Sequence, residues 1–69
     1  METYFTVGSE TYAEKTHRLL GRYRYPYRAT KVTGSSGCAY RFRVSAPADE
    51  IFSLLTSHGI PYQRIASPS

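Results

Sequence analysis

Leu19-Leu20-Gly21-Arg22-Tyr23-Arg24-Tyr25-Pro26-Tyr27 and Leu54-Leu55-Thr56-Ser57-His58-Gly59-Ile60-Pro61-Tyr62 carry a Leu-Leu pair and a Pro-Tyr pair at a common offset of 35 residues. In each stretch the leucines close a helical pattern, and the proline stops the helix and hands the chain to an extended segment. Upstream the offset persists, with Phe5 and Val7 corresponding to Tyr40 and Phe42. One strand-helix-strand unit is therefore written twice. Gly59, suited to the left-handed turn that ends a helix, corresponds to Arg24, where a side chain makes that turn harder, so local strain is expected at Arg24.

Working outward, Thr3-Tyr4-Phe5-Thr6-Val7 is β-branched or aromatic throughout and stops at Gly8, as a first strand does. Ser9 caps a helix with Glu10 and Glu14 near its positive end, and Tyr12, Thr16, Leu19, Leu20 and Tyr23 line one side. Tyr27 to Val32 reads as a second strand, residues 33–37 as a Gly/Ser loop, and Cys38 to Val44 as a third strand. Ser45-Ala46-Pro47 with Asp49 and Glu50 opens a second helix, which buries Ile51, Phe52, Leu54 and Leu55 and ends at His58-Gly59. Pro61 to Ile65 would be the last strand. The prediction is an α+β, ferredoxin-like βαββαβ domain over residues 1–66, with 67–69 as a frayed tail. Its four-stranded antiparallel sheet carries two helices on one face.

The third strand alternates Cys38, Tyr40, Phe42 and Val44 with Ala39, Arg41 and Arg43, so one face is apolar and the other basic. Phe5 and Val7 take the helix-covered side with them, leaving Tyr4, Thr6, Arg41 and Arg43 toward the open side. The domain of 69 residues has a net charge of +4, with the excess in mid-chain. Such a distribution suits a solvated surface, or a basic face of Arg41, Arg43 and Lys31 that binds nucleic acid or an acidic protein. RNA-recognition domains share this topology, but they stack bases on third-strand aromatics that here turn toward the helices. An open sheet face or edge strand also invites pairing into a homodimer.

Other chemistry is thinly represented. His17 and His58 have no ligand-spaced partners, so no metal is called for. Asp49 and Glu50 suit a helix first turn better than a catalytic pair, and no glycine pattern for nucleotides occurs, so no cofactor is expected. A chain this short buries too little surface to enclose a large active site, and a carrier or binding protein is expected rather than a turnover enzyme. No apolar run suits a membrane, and a single cysteine without a secretory leader predicts a cytoplasmic protein.

Cys38 directly follows Gly34-Ser35-Ser36-Gly37. Glycines let backbone N–H groups converge on an anion, and such a loop would favour a thiolate or persulfide; a small buried side chain is the alternative role for an isolated cysteine. The order of Tyr4-Phe5-Thr6-Val7-Gly8-Ser9, Ala13-Glu14-Lys15, Leu19-Leu20, Ser35-Ser36-Gly37-Cys38, Arg41-Phe42-Arg43-Val44 and Gly59-Ile60-Pro61-Tyr62 resembles a family of short bacterial proteins described as selenium/sulfur carrier-like. The resemblance spans almost the whole domain, departing from it at Arg24-Tyr25, where the family tends to have Gly-Ile. It implies that Cys38 accepts sulfur or selenium from a sulfur- or selenium-transfer protein and passes it on.

Overall fold

A computed structural model describes residues 2–34 and 37–65, with the backbone alone at positions 33, 34, 37 and 38. The elements follow in the order β1 (Thr3–Val7), α1 (Glu10–Arg22), β2 (Tyr27–Gly34), β3 (Gly37–Val44), α2 (Ala48–Ser57) and β4 (Gln63–Arg64). The strands form one antiparallel sheet in the order β2-β3-β1-β4. The architecture is the α+β, ferredoxin-like one that the duplicated halves imply.

The ladder fixes which side chains share a face, because directly paired residues of antiparallel strands point the same way. Phe5 pairs with Phe42, Val7 with Tyr40 and Thr3 with Val44. Phe5, Val7, Phe42 and Val44 are fully buried against Leu20, Ile51 and Leu55 of the helices, and Tyr40 packs at the margin of this core. Phe5 and Phe42 stack with ring centroids 5.2 Å apart, and Phe52 meets Phe5 edge-on. Thr3, buried beside them, donates its hydroxyl to the Ala46 carbonyl at 2.7 Å, so its polar atom is satisfied inside the core.

Helix α1 starts where Ser9 Oγ accepts from the Tyr12 amide, and it buries Ala13, Thr16, Leu19 and Leu20. The expected apolar stripe is corrected at one end: Tyr23 lies past the last full turn and is exposed. Leu54 of α2 is half-buried, while Ile51, Phe52 and Leu55 are buried as their spacing requires.

The repeat is visible in the helix ends. Tyr25 N–H donates to Leu20 and Arg24 N–H to Gly21; 35 residues on, Ile60 N–H donates to Leu55 and Gly59 N–H to Thr56. This is one C-terminal cap used twice. Gly59 sits at φ 66° and Arg24 at φ 60°, the one non-glycine residue in the left-handed region among those described. The strain expected at Arg24 is present, and the Tyr25 hydroxyl, which donates to the Glu50 carboxylate, ties this turn to α2. Arg24→Gly should therefore stabilise the chain by about 1 kcal/mol, the left-handed penalty less the entropy glycine adds to the unfolded state. Urea unfolding checks this, and an unchanged or lower midpoint would contradict it.

Two boundaries differ from the sequence expectation. The ladder between β2 and β3 continues through Thr33–Cys38 and Gly34–Gly37, so positions 33, 34 and 37 of the expected loop over 33–37 belong to strands, and 35 and 36 lie outside the described residues. The last strand shrinks from 61–65 to two residues, because Pro61 has no N–H to give a ladder. Ile65 still donates to the Tyr4 carbonyl at 3.4 Å. The tail at 67–69 lies outside the described residues.

Candidate functional site

Cys38 is the second residue of β3 and pairs with Thr33. Its sulfur, together with Ser35 and Ser36 of the expected anion-stabilising loop, lies outside the described residues; Gly34 and Gly37 are placed as the last pair of the hairpin. β1 and β3 pair as far as Val7–Tyr40, two residues after Cys38 on β3 and two residues before Ser9, the N-cap of α1.

His17 packs edge-on against Phe42 at 5.2 Å, so α1 runs over β3. Seven residues back along a helix covers about 10 Å, as do three residues back along a strand. For a helix aligned with the strand, those lengths carry the start of α1 toward the Ala39 end of β3. The first amides of a helix have no carbonyl behind them and carry the positive end of its dipole, which favours an anion nearby. Glu10 in the same turn partly offsets that charge.

The opposite face of the sheet is basic. Arg43 lies opposite both Tyr4 and Arg28, and Arg41 opposite both Thr6 and Thr30, so these residues form two adjoining rows across three strands. Tyr4, Arg28, Thr30, Arg41 and Arg43 line a shallow hollow of about 290 Å³. Lys31 is corrected out of this group. It pairs with Tyr40 and so shares the helix-side register, while Arg28 holds the place on the open face. Charge alone could not separate Arg28 from Lys31; the pairing with β3 does.

Glu2 makes a salt bridge with Arg43 Nε and also accepts from the Tyr4 hydroxyl at 3.4 Å. The hydrogen bond from Arg43 holds the Glu2 carboxyl below its usual range, and the same contact raises the guanidinium. A carboxyl lowered in this way keeps its partner at neutral pH and loses it only as pH falls through the lowered value. The pair is exposed, so it orders Arg43 more than it stabilises the fold.

A second basic groove, of about 270 Å³, lies on the helix layer between Lys15, Arg18 and Arg22 of α1 and His58 and Ile60. The three-and-four spacing of its cations was readable as one helix face. Arg18 is paired there with Glu14 at 3.0 Å. His17 Nδ1 and the Tyr27 hydroxyl share a hydrogen bond of 2.8 Å, a packing role at the edge of the core. Among the described residues no three His, Cys, Asp or Glu side chains converge on a metal-sized point, and no helix is long and apolar enough to cross a membrane. Comparison of the chain with family models, curated proteins and solved structures finds no match.

Proposed function

We propose that this chain is a small carrier of sulfur or selenium in which Cys38 is the loading residue. The observation that supports the reading is positional: Cys38 comes two residues before Tyr40, the partner of Val7 where β1 leads into α1, and next to the Gly34–Gly37 pair. Helix N-termini and glycine-rich backbone turns both favour a thiolate, the form that attacks sulfur. The order of motifs along the chain points the same way.

The chemistry is balanced without an added oxidant. Cys38 thiolate attacks the outer sulfur of a donor persulfide, forming a new S–S bond as the donor's S–S bond breaks. The donor leaves as a thiolate, and Cys38 holds the persulfide until an acceptor thiolate repeats the exchange. Selenium bonded to a donor cysteine would move by the same displacement. A shallow domain suits this task, since a carrier must present its cargo to two partners in turn.

Alkylation with iodoacetamide tests the electrostatic part. At pH 7 the native thiol should react about ten-fold faster than the same thiol in the urea-unfolded chain. A native rate equal to or below the unfolded one would remove the basis for the reading.

A further inference from the structure

We infer that the open face of the sheet is a docking surface for an acidic, extended protein segment, whose carboxylates are received by Arg28 and Arg41. Arg28 and Arg43 stand directly opposite each other in the ladder, like charges that Glu2 offsets at Arg43 but that no acidic residue among those described offsets at Arg28. A bound anion would do so. Neither Arg28 nor Arg41 has an acidic partner among the described residues, so both guanidinium groups are available to a ligand.

The molecule already displays the expected contact. The Glu2 carboxylate takes the Arg43 guanidinium and the Tyr4 hydroxyl together, as a partner's Glu or Asp would take Arg28 or Arg41. The spacing also fits. Arg28 and Arg41 are diagonal neighbours on one face of the β2–β3 ladder, about 7 Å apart, the interval at which an extended peptide presents alternate side chains on one face.

Nucleic acid fits less well. Of the aromatic residues in β1, β2 and β3, only Tyr4 has the open-face register, since Phe5, Tyr27, Tyr40 and Phe42 all share the helix side. Bases would find almost no stacking platform, which single-strand binders rely on. This inference is independent of the thiol, and its test does not read sulfur chemistry.

The probe is a synthetic peptide alternating Glu and Thr, titrated into the full chain at low salt and followed by amide chemical shifts and fluorescence anisotropy. A thymidine oligonucleotide of equal charge is the comparison. The peptide should perturb β1, β2 and β3, and Arg28→Thr with Arg41→Thr should weaken it about ten-fold or more, because charge-assisted hydrogen bonds are lost. Threonine suits exposed strand positions, so far-UV circular dichroism should be unchanged. Arg18→Gln with Arg22→Gln removes the same charge from α1 and should weaken binding no more than about two-fold, the part owed to net charge alone. The inference is overturned by absence of peptide binding at low salt, by equal loss in the two double variants, or by tighter binding of the oligonucleotide.

Discussion

Phe42→Ala should cost about 3–5 kcal/mol, the usual penalty for deleting a buried phenylalanine ring. A domain of this length has only roughly 3–10 kcal/mol to lose, so the variant should lose a large fraction of its stability. The ring is fully buried, stacks on Phe5 and receives the edge of His17 from α1 and the tilted ring of Tyr27 from β2. Removing it breaks contacts between three strands and a helix at once. Arg41→Ala, one residue away on the other face, should shift stability by no more than about 0.5 kcal/mol. Urea unfolding followed by circular dichroism measures both, and similar costs for the two variants would contradict the assignment of faces.

Cys38→Ser should abolish sulfur loading completely. Serine has nearly the same size, but its hydroxyl neither ionises near neutral pH nor forms an S–S bond, so no displacement on a persulfide is open to it. Exposed to glutathione persulfide, the variant should keep its original mass, with a far-UV spectrum matching the parent chain. Loading that survives in the variant would place the acceptor elsewhere.

Most of the fold was readable because the two halves repeat. The shared Leu-Leu and Pro-Tyr pairs located both helix ends and exposed Arg24 as the member forced into a glycine conformation. The clean alternation from Cys38 to Val44 gave the face of β3, which the burial of Phe42 and Val44 bears out. Elsewhere local pattern was insufficient. Tyr27-Arg28-Ala29-Thr30-Lys31-Val32 places cations at both parities, so only pairing with β3 separates Arg28 from Lys31. The Gly/Ser stretch had the composition of a long loop, yet Gly34 and Gly37 extend the hairpin ladder. That Cys38 comes two residues before the partner of Val7, where β1 leads into α1, depends on register between strands far apart in sequence, and no local motif encodes it.

Intact-mass spectrometry of the native chain after incubation with glutathione persulfide decides whether Cys38 accepts sulfur. The predicted result is a gain of one sulfur atom per chain, located on the peptide that contains Cys38 and removed by a thiol reductant. An unchanged mass, under conditions that load a free low-pKa cysteine in a control protein, would contradict it.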